Sequence, residues 1–186
     1  MGLRVKKTPC YIERDENKRQ KYLSEISHLN PDDLIYVDES GIDHALSRLY
    51  ARSLCGTRVY GEVSGKFVSR TTLISAYVKG GFIAPLRFKG YTNTDVFNQW
   101  VEKCLVPVLR AGQVVVMDNA SFHKSKRTKE LIEAAGCGVL FLPPYSPDFN
   151  KIEPMWANLK QRLRTYYDNT ISFYENLDLH FKYLCN

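Results

Sequence analysis

Two apolar, largely β-branched runs in this chain each close on an aspartate: Leu34-Ile-Tyr-Val-Asp38 and Val114-Val-Val-Met-Asp118. A run without polar alternation reads as a strand covered on both faces. Strands of that kind sit in the middle of a sheet that carries helices on either side, so the expected class is α/β. In such sheets the carboxyl ends of neighbouring strands open on the crevice where ligands bind. Asp38 and Asp118 are therefore the first candidate functional residues.

The rest of the chain supplies the elements around those strands. A helix is expected over residues 13–29, broken by Asn30-Pro31-Asp32-Asp33. Strand-like pieces follow at 58–63, 70–78 and 81–88, with Gly80-Gly81 as the hairpin signal. A helix opened by Thr92 or Thr94 carries Val96, Phe97, Trp100, Val101 and Leu105, and Pro107 should kink or end it. A short helix over 125–135 ends at Gly136, and a strand over 139–142 stops at Pro143-Pro144. The helix over 151–166 has an apolar stripe of Ile152, Met155 or Trp156, Leu159, Leu163 and Tyr166. Ser172 and Glu175 form a capping box ahead of Leu177, Phe181 and Leu184. The pattern is three antiparallel strands, then alternating helix and strand. It divides into a charged helical lead-in (1–33), an α/β core (34–167) and a helical tail (168–186).

Glu153 adds a third carboxylate at the start of the 151–166 helix. With Asn150 as N-cap it would be the third helical residue, a capping-box position, so a purely structural role competes with a chemical one. Three converging carboxylates suit hard divalent cations such as Mg²⁺ or Mn²⁺. The five cysteines lie far apart without a Cys-x-x-Cys pair, which argues against a zinc site and for reduced thiols. A net charge of +6 favours a polyanionic partner. No apolar stretch reaches the length of a membrane span and the N-terminus lacks an apolar leader, so a cytoplasmic location is expected.

The strings Asp118-Asn-Ala-Ser-Phe-His-Lys-Ser, Leu142-Pro-Pro-Tyr-Ser-Pro-Asp-Phe-Asn and Ile152-Glu-Pro-Met-Trp, with Tyr36-Val-Asp38-Glu-Ser-Gly ahead of them, resemble the catalytic domain of mariner-superfamily transposases. The likeness is greatest to the bacterial insertion-sequence branch, whose spacing is matched by the 34 residues between Asp118 and Glu153. It runs from about residue 6 to residue 166. It implies an RNase H-like fold, a mixed five-stranded sheet flanked by helices. It further implies that Asp38, Asp118 and Glu153 bind two Mg²⁺ ions, replaceable by Mn²⁺, with Asp38 bridging them. The implied chemistry is metal-dependent cleavage and strand transfer of double-stranded DNA at element ends, with insertion at a TA target.

Around this triad, Asn119 and His123 are expected to contact phosphate. Lys124, Lys126, Arg127 and Lys129, continued by Lys160, Arg162 and Arg164, are expected to track the DNA backbone. Glu39, next to Asp38, should point to the opposite face of its strand. Two features depart from the resemblance. Lys151 stands where proline is usual, and only 37 residues precede Asp38. The helix-turn-helix region that reads element ends is thus expected from a separate upstream frame, acting with this chain or with a homodimer of it. The alternatives are a non-catalytic remnant serving as a DNA-binding or dimerisation subunit, and an RNase H-like nuclease.

Overall fold

The computed structural model describes residues 12–44, 53–60 and 69–185. A five-stranded sheet in the order β3-β2-β1-β4-β5 forms its centre. It is built from β1 (Leu34–Asp43), β2 (Arg70–Val78), β3 (Gly81–Lys89), β4 (Val114–Met117) and β5 (Gly138–Phe141). The first three strands pair antiparallel, while β4 lies parallel to β1 and β5 parallel to β4. This is the mixed sheet expected of an RNase H-like fold.

Helices cover both faces, as the apolar runs require. Side chains alternate along β1, so Tyr36 and Ile42 enter one core and Ile35 and Val37 the other. The first core packs against α1 (Glu16–Ser27), α4 (Glu153–Tyr166) and α5 (Phe173–Leu184) through Tyr22, Trp156, Leu159, Leu163, Leu177, Phe181 and Leu184. The second packs against α2 (Thr94–Trp100) and α3 (Lys126–Ala134) through Phe97, Trp100 and Ile132. Each such fully buried side chain contributes roughly 1.5–3 kcal/mol. Helices from the expected lead-in and tail thus share one apolar layer with α4.

Several boundaries differ from expectation. The strand proposed at 58–63 lies partly outside the described residues, and residues 58–60 are not in a strand. Lys79 and Gly80, both at positive φ, make the two-residue turn between β2 and β3, with Gly81 already in the strand. Asn93, not Thr92 or Thr94, caps α2, its side chain accepting from the Val96 amide. After Trp100 the helix widens into a π-turn over Val101–Leu105 and tightens at Val106–Val108, where Pro107 has no N–H to offer. Gly136, at φ 74°, closes α3 as expected. The capping box of α5 is present as read, with Ser172 and Glu175 each satisfying the other's backbone N–H. Tyr166, placed in the stripe of α4, is 63% exposed because α4 ends there. Among the described residues no helix is long and apolar enough to cross a membrane, and Cys55, Cys104, Cys137 and Cys185 are free thiols.

Candidate active site

Asp38, Asp118 and Glu153 line one open cleft of about 540 Å³. Asp38 comes from β1, opposite Ser75 of β2, and Asp118 from the first residue beyond β4. Because β1 and β4 are parallel neighbours, their carboxyl ends bring the two aspartates to the same edge. Glu153 arrives from the other direction, at the first position of α4. The capping-box arrangement expected for it is not formed. Asn150 ends a short 3₁₀ turn over Pro147–Phe149, Ile152 occupies the N-cap without a side-chain bond, and Pro154 fits the first turn. A glutamate in the first turn still complements the helix dipole.

The Pro143-Pro144-Tyr145-Ser146-Pro147 segment forms the wall between the two aspartates and Glu153. It carries the chain from β5 to α4 and is stiffened by its prolines. Tyr145 sits at φ 53°, a conformation uncommon for a non-glycine residue, and buried Ser146 donates to the Pro144 carbonyl at 3.1 Å. Asn119 also lines the cleft, but its side-chain amide donates to the Leu142 carbonyl, tying the ends of β4 and β5 together.

The three carboxylates differ electrostatically. Burial, then the negative charges of Glu153, Glu39 and Asp118, push the Asp38 carboxyl up to about 8. Burial also acts to raise Asp118, yet hydrogen bonds from His123 and from the Ala120 amide outweigh it and hold that carboxyl below its ordinary value. Like charges facing one cleft are what a divalent cation relieves, and the donor set is all oxygen, as hard cations prefer. Among the described residues, however, no three His, Cys, Asp or Glu side chains close tightly enough to enclose an ion.

His123 is not the surface residue expected. It is 1% exposed and stacks near Phe97 and Phe122. Its Nδ1 lies 2.6 Å from Asp118 Oδ1 and its Nε2 lies 2.9 Å from Glu39 Oε1. Two ionised carboxylates can only accept, so both ring nitrogens must donate and the ring is an imidazolium. Burial alone would lower its pKa, but the two hydrogen bonds outweigh that and raise it to about 9. Glu39 does point away from Asp38, and it reaches His123 by doing so. Alternation along β1 gave its face; its partner, 84 residues away, had no sequence signal.

The basic residues divide. Lys126, Arg127 and Lys129 are paired with Glu130, Glu102 and Glu133 at 3.5, 3.0 and 3.6 Å, so their charge is largely compensated on the protein itself. Lys124 is exposed and lies over the Phe141 ring. Arg162 turns toward α5, its guanidinium 3.7 Å from the Tyr183 ring centroid. Lys160 does not line the cleft but lies within electrostatic reach of its carboxylates. Burial holds its ammonium below the ordinary value, Glu153 and Asp38 oppose that, and Arg70 and Arg164 add to it. Sequence reasoning missed Arg70, which precedes a buried threonine in β2 and whose side chain lies over Gly41 where a Cβ would clash. It also missed Arg19 of α1, buried and bonded through both terminal nitrogens to Asp148 at 2.9 and 2.7 Å. That pair braces the wall that delivers Glu153.

The fold is shared with solved transposase structures. The pre-cleavage Mos1 transpososome superposes with a TM-score of 0.73 at 16% identity, covering 97% of this chain and 59% of that one. The Mos1 mariner paired-end complex with Mn gives 0.71 at 15% identity, again covering 97% and 59%. The Mos1 transposase catalytic domain with Raltegravir and Mg gives 0.62 at 16% identity, covering 91% of this chain and 79% of that one. The chain thus spans about 59% of the length of the first two proteins. Comparison with curated proteins by sequence returned no match. The family model described as "DDE superfamily endonuclease" matches residues 33–178, from the start of β1 into α5 and through all three carboxylates, and the chain belongs to that family.

Proposed function

We propose that this chain is the catalytic portion of a DNA transposase, cutting and rejoining duplex DNA at Asp38, Asp118 and Glu153. The observation that carries the reading is the convergence of these three carboxylates, from β1, β4 and α4, on one cleft. The Mos1 structures named above are, in their own right, a pre-cleavage transpososome, a paired-end complex with Mn and a catalytic domain with Mg. Together with the family they support a divalent cation and duplex DNA as the groups this cleft takes. The 34 intervening residues and the Pro-Pro-Tyr-Ser-Pro wall support the insertion-sequence branch over a host-type nuclease. In this reading residues 34–167 carry the chemistry, while α1 and α5 brace it.

Asp38, Asp118 and Glu153 would hold two Mg²⁺ ions. When bound, such ions polarise the phosphate and lower the pKa of the attacking water or 3′-hydroxyl. The protein's own residues supply the framework. His123 holds Asp118 below its ordinary pKa, while Asp38, raised by burial and its acidic neighbours, would be ionised by a cation held beside it. Lys160 places a cation beside Glu153, suited to a backbone phosphate. No side-chain nucleophile is needed, since displacement at phosphorus rests on positioning and charge neutralisation.

Nicking of supercoiled DNA carrying element ends should require Mg²⁺ or Mn²⁺. It should fall at least a hundredfold, of the order seen when a transition-state charge contact is lost, in Asp118→Asn and Glu153→Gln. Circular dichroism should show both variants folded. Wild-type cleavage by either one removes the triad assignment.

A further inference from the structure

We propose that Glu39 and His123 act as a positioning clamp for Asp118, fixing which of its oxygens is left for a cation. The proposal rests on the reading of Asp118 as a metal-binding residue. Asp118 lies just beyond β4, where no strand pairing holds its side chain, and its side chain is half exposed. What holds it is one oxygen. Oδ1 accepts from the Ala120 amide at 2.9 Å and from His123 Nδ1 at 2.6 Å. Oδ2 takes part in neither contact, so the carboxylate is turned with one oxygen engaged and the other available to the cleft.

The clamp itself cannot drift. The His123 side chain is fully buried, and the Phe97 and Phe122 rings lie 4.4 and 4.5 Å from it, centroid to centroid. Rotation is further blocked from behind, because Nε2 is engaged with Glu39 Oε1 at 2.9 Å. Glu39 is only 16% exposed and belongs to β1, the strand that also delivers Asp38. The link Glu39, His123, Asp118 therefore ties the two aspartates' strands across the sheet edge on the face opposite Asp38. With both ring nitrogens occupied and the ring enclosed, His123 has nothing left to offer a phosphate. Its effect on DNA chemistry runs through Asp118. Outer partners of this kind orient a ligand and raise its affinity for a cation, typically by 10–100-fold.

Mn²⁺ binding to the full chain without DNA, followed by the electron paramagnetic resonance signal of free Mn²⁺, separates the possibilities. Asp118→Asn tests the underlying reading, and His123→Gln and Glu39→Gln test the clamp. Glu39→Gln keeps the ring and the backbone in place should His123→Gln fold poorly. Expected are a large loss of affinity in Asp118→Asn and a loss of about tenfold in each clamp variant that melts cooperatively. A stitch that only holds the fold together would lower melting temperature and leave the affinity of the folded protein unchanged. Clamp variants at wild-type affinity, beside a weakened Asp118→Asn, overturn the clamp and leave the site standing. Wild-type affinity in Asp118→Asn overturns the reading of Asp118 and the clamp with it.

Discussion

Asp38 and Asp118 occupy equivalent places in the sequence, each ending an apolar strand, yet the fold sets them to opposite electrostatic tasks. Asp118 has a buried cation at its side, and Asp38 has burial and three carboxylates around it. An acid whose folded pKa is about 8 keeps its proton while the unfolded chain, near 4, gives it up. The unfolded state then binds fewer protons, so stability falls as pH rises between those values, by at most about 1.4 kcal/mol per pH unit, and levels off above. Metal-free protein should lose stability from pH 5 to 8, and Asp38→Asn should abolish cleavage and reduce that slope to what His123, raised to about 9, contributes above about pH 6.5. Urea melts across this range decide it, since parallel pH profiles for the two proteins contradict the assignment. The positions of these aspartates were legible because a strand of unbroken β-branched residues can end in few ways. Their difference was not, because it depends on His123 and Glu39, which reach the site only through the fold.

At the scale of elements, a motif was readable where its physics is local. The Ser172–Glu175 capping box and the Gly136 stop formed as read because both are settled within one helical turn. The start of α4 was misread, since Asn150 has the right chemistry for a cap but closes the preceding 3₁₀ turn through its backbone, leaving its side-chain oxygen buried and without a partner. That turn is held from outside by Arg19 of α1, through Asp148 and with its guanidinium 3.8 Å from the Phe149 ring centroid. The Arg19 guanidinium holds the Asp148 carboxyl below the usual range. A depressed acid contributes stability that is fully present above its unfolded pKa and lost as pH falls through the folded one. Asp148→Asn should therefore cost roughly 1–3 kcal/mol at neutral pH, as for a hydrogen bond to a charged group. The penalty should shrink as pH falls through the lowered pKa of the wild-type carboxyl. Urea titrations at pH 7 and pH 2.5 measure both; an equal penalty at the two values refutes the ion pair as its source.

Across the whole molecule, the net charge of +6 is not carried by α3, whose Lys126, Arg127 and Lys129 are paired with Glu130, Glu102 and Glu133. The described cations best placed for phosphate are Lys160 and Arg164; Arg70, near them, already lies 3.9 Å from Asp43. The chain should bind duplex DNA weakly, at roughly 10⁻⁴ to 10⁻⁶ M in physiological salt, with little preference between element ends and random sequence. Lys160→Ala and Arg164→Ala should each lower the salt slope by about one, whereas Lys126→Ala with Lys129→Ala should change it little. Fluorescence anisotropy at two salt concentrations checks this, and a larger effect from the α3 pair reverses the ranking. Sheet order has one more consequence. Leu34 pairs with Val114, and β4 must enter between β1 and β5 before the aspartates meet, so the cleft depends on contacts between distant parts of the chain. Loop-closure entropy makes such contacts slow to form. A nascent or partly unfolded chain has its carboxylates scattered, and the cleft proposed for DNA cleavage exists only in the completed sheet.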